Sequence, residues 1–437
     1  MVKANDAVLS ILGESKKGDG EFRLFTYTAE QKTKNGFLLF NLLTRELIFL
    51  EKHEYKNASE NEYLREHWFF VLEELDDKKY ADAVRWVCEG IAPKTENITN
   101  FTILTTTDCN ARCFYCYEKD CEKVKMSSET ALDVAKYIEK HHGGKKVNLM
   151  WFGGEPLYNM SVIDLVTERL RKSGVTFSSD MISNGYLFDE ATVRRAKEKW
   201  KLHSVQITLD GTEKVYNRIK AYVNNRESAY LRVIENIGCL LDAEIYVNVR
   251  MNMDLHNSED LEALCDELAK RFDKKYIRVN VRHIFDSTKA NAEIHTDEEW
   301  EKRYIAKCRI EDKLLEYGLL HSGRINRKVK IHSCMADSDD TVVIHPTGKI
   351  SACEHYMDGE FVGDIRMNEF DEKALESWKE RVSEIPECEE CFYLPECIRL
   401  RKCTVGNSCY PQERNEFLRS VRLRMLYEYN IWMDQNN

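Results

Sequence analysis

The chain has 437 residues, a net charge of −11 and 43% hydrophobic residues, so two or three domains with buried cores are expected. The acidic balance and the lack of a dense Lys/Arg block argue against a nucleic-acid partner. No apolar run reaches membrane-span length and the N-terminus lacks a signal-peptide pattern, so we expect no membrane partner and a cytoplasmic protein. Its 15 cysteines are then better interpreted as metal ligands than as disulfides.

The first region, residues 1–93, is predicted to form a small α+β module. Apolar runs typical of strands come first, and amphipathic helical stretches follow them. The strands are expected at 22–27, 36–42 and 47–50, and the helices at 62–75 and 80–88. The stretch from Pro93 to Asn100 is typical of a linker, which places the first domain boundary at residue 93.

Residues 94–300 alternate strand-like and helix-like stretches, which predicts a parallel sheet with helices packed outside it. Six strands are expected, at 101–107, 147–153, 180–184, 205–210, 245–251 and 276–283. Helices are expected at 127–142, 161–172, 189–199, 230–241 and 258–272, with a further one at 298–317. Six such units indicate a partial (β/α)6 barrel, in which functional residues lie at the carboxyl ends of strands.

Three cysteines directly follow the first of these strands. Cys109, Cys113 and Cys116 have the spacing C-x3-C-x2-C, and the aromatic Tyr115 precedes the third. Three thiolates can hold three irons of a [4Fe–4S] cube and leave one iron open, whereas ferredoxins and structural zinc sites use four ligands. The run resembles the motif of the radical S-adenosylmethionine (radical SAM) enzymes. A chance spacing of three core cysteines is the alternative.

This resemblance implies contacts to S-adenosylmethionine at the ends of later strands. The Gly-Gly-Glu-Pro run from Gly153 matches the family loop that binds the methionyl amino group, with Glu155 as acceptor. The motif aromatic would pack near the adenine, and other strand ends would contact the ribose and the carboxylate. For the positions from Ser183 onward a structural role is the alternative. The implied cofactor contacts are Tyr115, Gly153, Gly154, Glu155, Ser183, Asn184, Asp210, Arg218 and Arg250.

Residues 301–437 contain a second group of cysteines that resembles the SPASM extension of radical SAM enzymes. In that family the extension carries two auxiliary [4Fe–4S] clusters, which gives three clusters in all. The resemblance implies one cluster on Cys334, Cys353 and Cys403, and the other on Cys388, Cys391, Cys397 and Cys409. A zinc-binding tail is the alternative.

The chain departs from this pattern at two places. The gap from Cys397 to Cys403 is five residues, where the family usually has three. No cysteine closely precedes Cys334 to complete the first auxiliary cluster. That cluster is therefore either open at one iron or closed by another side chain; the candidates are Cys308, His332 and His355.

The order of the three regions resembles that of radical SAM/SPASM peptide maturases of the sactisynthase and ranthipeptide-synthase kind. In these enzymes a small winged-helix-like module at the N-terminus holds the leader of a ribosomally made precursor peptide. The resemblance therefore implies a precursor-peptide partner and an external electron donor of the flavodoxin or ferredoxin type. A leader could add to an edge strand of the module by β-augmentation.

The sequence leaves several reactions open. A thioether crosslink from a peptide Cys sulfur to a carbon is favoured if the first auxiliary cluster has an open iron. A carbon–carbon crosslink or another oxidative change of the peptide is the second possibility. A sulfatase-type formylglycine maturase would share the barrel and the tail. An iron–sulfur electron carrier is the non-enzyme alternative.

Overall fold

The computed structural model describes residues 1–13, 20–91, 95–223, 228–284, 296–320, 323–330, 334–355, 361–367, 370–380, 384–397, 400, 409 and 412–436. Within these ranges no helix is long and apolar enough to cross a membrane.

In the N-terminal region the described residues form two small antiparallel sheets and four helices. One sheet has the order β2-β3-β4, and the other pairs β1 with β5. The strands are β1 (Phe22–Leu24), β2 (Thr28–Lys32), β3 (Gly36–Asn41), β4 (Leu47–Glu51) and β5 (Phe70–Leu72). The helices are α1 (Asp6–Leu12), α2 (Lys52–Lys56), α3 (Glu62–Glu66) and α4 (Asp77–Ile91).

The helix predicted at 62–75 is wrong in its second half, because α3 ends at Glu66 and residues 70–72 form β5. Trp68 has a positive φ of 62°, which a helix cannot accommodate, and the three residues of β5 are all buried. Strand β2 was not predicted, since Thr28–Lys32 has little strand propensity and forms by pairing with β3. The helix predicted at 80–88 is confirmed within α4.

The central region winds six parallel strands in chain order, each paired with the next. All six predicted strands and all six predicted helices are present, with boundaries that shift by up to three residues. The strands are β6 (Asn100–Thr106), β7 (Val147–Gly153), β8 (Phe177–Ser183), β9 (Leu202–Thr208), β10 (Tyr246–Met253) and β11 (Ile277–His283). The helices are α5 (Ser128–His141), α6 (Met160–Lys172), α7 (Glu190–Glu198), α8 (Glu213–Lys220), α9 (Ala229–Asp242), α10 (Ser258–Arg271) and α11 (Asp297–Glu316). Between the first and last of these strands the sequence pattern missed helix α8.

The C-terminal region extends this sheet to nine strands. Strand β12 (Thr341–Ile344) pairs in parallel with β6, and β13 (Lys349–Ser351) and β14 (Gly363–Asp364) follow it as antiparallel neighbours. The loop before β12 also binds the start of β6, because the carbonyl of Asp340 accepts from the amides of Thr99 and Asn100 at 2.9 and 3.0 Å. The described residues of this region also form helices α12 (Glu372–Lys379) and α13 (Glu413–Asn436).

The N-terminal module and the C-terminal region share one hydrophobic core. Side chains of β3 and α1 pack with Cys391, Leu394 and residues of α13 such as Met425, which is fully buried. A buried ion pair crosses the same interface: Arg45 Nη1 lies 2.7 Å from Glu396 Oε1, with side-chain exposures of 2% and 4%. The Arg45 guanidinium also donates to the carbonyl of Asn326.

The Arg45–Glu396 pair gives a test of this interface. Arg45→Met leaves the Glu396 carboxylate buried without its cation, so we expect a loss of about 3–5 kcal/mol in the free energy of unfolding. The exposed pair Arg169–Glu139, with Arg169 at 48% exposure, is the matched control. Arg169→Met should change that free energy by no more than about 1 kcal/mol. Anaerobic urea denaturation measures both, and equal midpoints for the two variants would contradict the shared core.

Candidate functional site

The predicted cluster-binding loop starts where β6 ends, at the carboxyl edge of the parallel sheet. Cys109, Cys113 and Cys116 lie in this loop, and all three thiols are partly buried. The loop returns beside the strand it left, because the Thr107 amide donates to Val124 O at 2.9 Å. The structure therefore places the three cysteines where a parallel sheet carries its functional groups.

The thiols need a positive charge to ionise in this position. Burial raises the pKa of Cys109 to about 12 and that of Cys116 to about 11. A bound metal centre reverses this preference, since coordination deprotonates a thiol outright. Among the described residues no three Cys, His, Asp or Glu side chains converge on a single metal ion. The thiolates of a [4Fe–4S] cube each bind a different iron, so a cluster does not require such convergence.

Gly153 and Gly154 pack against the backbone of the cysteine loop. Gly153 has a φ of +122°, and a Cβ there would lie 2.1 Å from the carbonyl oxygen of Thr106. A Cβ on Gly154 would lie 2.4 Å from the carbonyl oxygen of Asp108. The amides of Gly154 and Glu155 donate to these same two carbonyls at 3.0 and 2.9 Å. The absence of side chains thus lets the end of β7 hold the start of the loop.

Glu155 is fully buried and joins the ends of β7 and β8. Its carboxylate accepts from Ser183 Oγ at 2.9 and 3.1 Å, and from the amides of Asn184 at 2.8 Å and Leu157 at 3.1 Å. Burial raises its pKa to about 7, although these hydrogen bonds lower it. Through its bonds to Ser183 and Asn184, Glu155 holds the turn at the end of β8 in place.

Asn184 carries this network into the cysteine loop. Its side-chain amide donates to Asn110 Oδ1 at 2.6 Å and lies 3.8 Å from Cys109 Sγ. The predicted residues Glu155, Ser183 and Asn184 are therefore brought together beside Cys109.

Tyr115 and Asp210 meet at the other side of the loop. The Tyr115 hydroxyl donates to Asp210 Oδ2 at 2.7 Å, and Lys220 Nζ lies 3.0 Å from the same oxygen. Lys220 was not predicted, whereas Arg218, which was predicted, is exposed on helix α8. The helical spacing of the buried Tyr216, Ile219 and Lys220 is the signal that could have found it.

Arg250 lies near the carboxyl end of β10, partly buried, and its Nε donates to Asn252 Oδ1 at 2.9 Å. Burial lowers its pKa, and the nearby Arg282 adds to the effect. Neither guanidinium has an ion-pair partner within the described part of the chain. This end of the sheet therefore presents positive charge beside the cysteine loop.

The C-terminal cysteines lie on short turns. Cys334 and Cys353 flank the β12–β13 hairpin, and Cys353 is buried. Cys388, Cys391 and Cys397 follow one another through tight turns, with the Cys391 amide donating to Cys388 O at 3.3 Å. Cys409 is exposed, while Cys403 and the alternative ligand His332 lie outside the described residues. The predicted grouping of these cysteines into two auxiliary clusters stays a prediction.

The loop after Cys353 contacts the cysteine loop of the barrel. The ring of His355 lies 4.2 Å from that of Tyr117, centroid to centroid. Tyr117 also packs with Leu104, Val343 and Met335 in a small apolar cluster. The two cysteine-bearing segments are thus neighbours, whereas the alternative ligand Cys308 lies on helix α11.

Gly153 allows a direct test of the loop packing. Gly153→Ala forces a methyl group onto Thr106 O, so we expect a loss of at least about 2 kcal/mol in unfolding free energy and reduced iron retention. Gly174 also has a positive φ, +77°, but no atom lies within 4 Å of the place that a methyl group would take, which makes it the control. Gly174→Ala should cost only about 1 kcal/mol. If urea denaturation gave similar losses of unfolding free energy for Gly153→Ala and Gly174→Ala, the close contact between Gly153 and Thr106 would be unimportant.

Comparisons with known proteins agree with this geometry. Residues 103–268 match the Radical SAM superfamily. The chain is 24% identical over 324 residues to the serine-type anaerobic sulfatase-maturating enzyme of Klebsiella aerogenes, covering 69% of this chain and 76% of that one. The solved structure of anSMEcpe with bound AdoMet superposes with a TM-score of 0.57 at 16% identity, over 76% of this chain and 99% of that one. Streptococcus suis SuiB bound to S-adenosylmethionine gives 0.51 at 12% identity, over 87% and 95%. Residues 103–268 therefore form a radical SAM domain, within a chain that has the radical SAM fold.

Proposed function

We propose that this protein is a radical SAM enzyme that installs a thioether crosslink in a ribosomally made precursor peptide. The observation that carries the proposal is the cysteine loop at the carboxyl edge of the sheet, inside the segment that matches the superfamily. When bound to Cys109, Cys113 and Cys116, a [4Fe–4S] cluster with S-adenosylmethionine supplies a 5′-deoxyadenosyl radical that removes hydrogen from an unactivated carbon.

The residues around the loop fit a ligand with both donor and acceptor groups. Asn110 Nδ2 and Asp210 Oδ1 are buried and have no hydrogen-bond partner among the described residues. One is a donor and the other an acceptor, and both side chains contact the loop or its neighbours. Arg250 adds a cation for a carboxylate. The chain's task is to orient the cofactor and to keep water away from the reacting carbon.

A peptide substrate is supported by the relatives of the fold. SuiB has been solved with the precursor peptide SuiA, and anSMEcpe with the Cp18Cys peptide. The N-terminal module of this chain has a small antiparallel sheet, the kind of surface that can bind an extended peptide by strand addition. The backbone edge of β2 is bonded to α13, where Arg422 donates to Glu30 O at 3.0 Å, so we assign the leader to the backbone edge of β4, which meets α13 through the Phe49 side chain.

Thioether formation is favoured by the position of Cys334 and Cys353. The contact between His355 and Tyr117 brings the Cys353 segment to the cysteine loop, so a substrate thiol held there would face the same space as the radical. The peptide loses a hydrogen atom from carbon and a proton from the thiol as the C–S bond forms. Cys334 and Cys353 would help to hold an auxiliary cluster able to accept the remaining electron, and an external flavodoxin- or ferredoxin-type donor would supply the electron that starts each turnover.

Sulfatase maturation is the second candidate, and its support is the similarity to the Klebsiella aerogenes enzyme. The two functions are separated by the product. A thioether leaves the peptide two hydrogens lighter and blocks thiol alkylation, whereas a formylglycine reacts with hydrazides. Incubating the reconstituted protein with a sulfatase-derived peptide and with a leader-bearing, cysteine-containing peptide, followed by mass spectrometry, decides between them.

The cluster assignment can be tested by iron content. Wild-type protein reconstituted anaerobically should contain about twelve irons, four for each of three clusters. Replacing Cys109, Cys113 and Cys116 together by Ala should remove about four of them and abolish 5′-deoxyadenosine formation. Cys239→Ala, a partly buried cysteine on α9, is the control and should retain both properties. Continued 5′-deoxyadenosine formation by the triple variant would overturn the assignment, and stoichiometric zinc in the wild type would favour a zinc-binding tail.

The leader assignment can be tested by hydrogen–deuterium exchange. On the outer edge of β4 the amides of Leu47 and Glu51 already donate to Val2 O and Glu54 Oε2. The Phe49 amide between them should therefore exchange more slowly when a leader peptide is added, because strand addition gives it a new hydrogen bond. Amides of β2 are the internal control and should be unchanged, and a core peptide without its leader should protect neither strand. Protection confined to the barrel would contradict leader binding by the N-terminal module. Deleting residues 1–93 is a poor substitute, since it would expose the core shared with α13.

A further inference from the structure

Lys220 is a buried cation at the end of helix α8, beside the cysteine loop. Its side chain is 4% exposed, and Asp210, its ion-pair partner at 3.0 Å, is fully buried. Lys220 Nζ also donates to the Tyr115 hydroxyl at 3.1 Å. Since Tyr115 in turn donates to Asp210, the three side chains form a closed triangle of hydrogen bonds.

The backbone around Lys220 also forms hydrogen bonds with the cysteine loop. The carbonyl of Lys220 accepts from the Arg112 amide at 2.8 Å, and the Val223 amide donates to Asn110 O at 2.8 Å. The helix ends here because Ala221 adopts a left-handed conformation with φ of +43°. Two loop residues between Cys109 and Cys113 are thereby fixed by the end of α8.

The charge of Lys220 is retained despite its burial. Burial alone would favour the neutral amine, but the Asp210 carboxylate outweighs it, and the pKa of Lys220 is raised well above its usual value. A buried ammonium thus lies against Tyr115, which stands between the expected cluster ligands Cys113 and Cys116 in the chain.

We propose that Lys220 is the positioning residue of the Cys109/Cys113/Cys116 centre: it locks Tyr115 through Asp210 and supplies the charge that makes a cluster bound there easier to reduce. The inference rests on the proposed function, since it concerns a cluster at those cysteines. Removing the ammonium also leaves the Asp210 carboxylate unpaired beside the centre, which adds negative charge and disfavours a further electron.

The test compares Lys220→Met, which removes the charge, with Lys220→Arg, which keeps it. Lys214→Met, at an exposed position of the same helix, is the control. Each reconstituted protein is titrated with reductant and followed by the part of the EPR signal that changes on addition of S-adenosylmethionine, which isolates this cluster from the auxiliary ones. At a fixed potential the reduced-to-oxidised ratio of Lys220→Met should fall about tenfold, as expected for the loss of one nearby buried charge.

Lys220→Arg and Lys214→Met should titrate like the wild type. A Lys220→Met protein that keeps its iron and titrates like the wild type overturns the inference. If Lys220→Met does not retain this cluster, the Lys220→Arg protein decides the question. A Lys220→Arg protein that keeps its iron and titrates like the wild type supports a role for the positive charge. Loss of the cluster from both variants overturns the inference. A wild-type protein with no signal responsive to S-adenosylmethionine overturns the proposed function itself, and the inference with it.

Discussion

The structure depends on the parallel pairing of β6 with a neighbour on each side. On one side β7 ends in the Gly153–Gly154 turn, and on the other β12 leads into the hairpin flanked by Cys334 and Cys353. Because parallel strands end at the same edge, both neighbours bring their loops to the cysteine loop that follows β6. Asp340 secures the register at the opposite end of β6, through its bonds to Thr99 and Asn100.

The central sheet could be predicted because its strands are buried on one or both faces and alternate regularly with amphipathic helices. That pattern located all six strands and the loop carrying Cys109. Helix α8 was not predicted because it spans eight residues, about two turns, which is too short for a clear apolar periodicity. Two of its three buried side chains, Tyr216 and Lys220, are also polar or amphipathic. The helix predicted at 62–75 was too long for a related reason. Nothing in the apolar spacing of that segment indicates that the backbone of Trp68 adopts the left-handed conformation, in which a helix cannot continue.

The sequence named residues that the structure brings together at one edge of the sheet, but it did not specify which of them contact one another. Gly153 and Gly154 were expected to contact the cofactor, and in the structure the space beside each of them is filled by the backbone of the cysteine loop. Glu155 was expected to face the cofactor, and its oxygens are engaged by Ser183 and Asn184. Such details depend on which loops meet at the sheet edge, and a single sequence does not specify that juxtaposition. Gly153, Gly154 and Glu155 thus hold the cysteine loop and the end of β8 in place.

The N-terminal module is connected to the candidate site through the C-terminal cysteines. Cys388, Cys391 and Cys397 belong to the same core as β3 and α13, so the module packs directly on the turns expected to hold the second auxiliary cluster. Arg45 and Arg85 strengthen this contact, since both donate into the segment from Leu394 to Glu396. The proposed binding of a leader to the module and the geometry of the turns that carry Cys388, Cys391 and Cys397 would therefore be coupled through this shared packing.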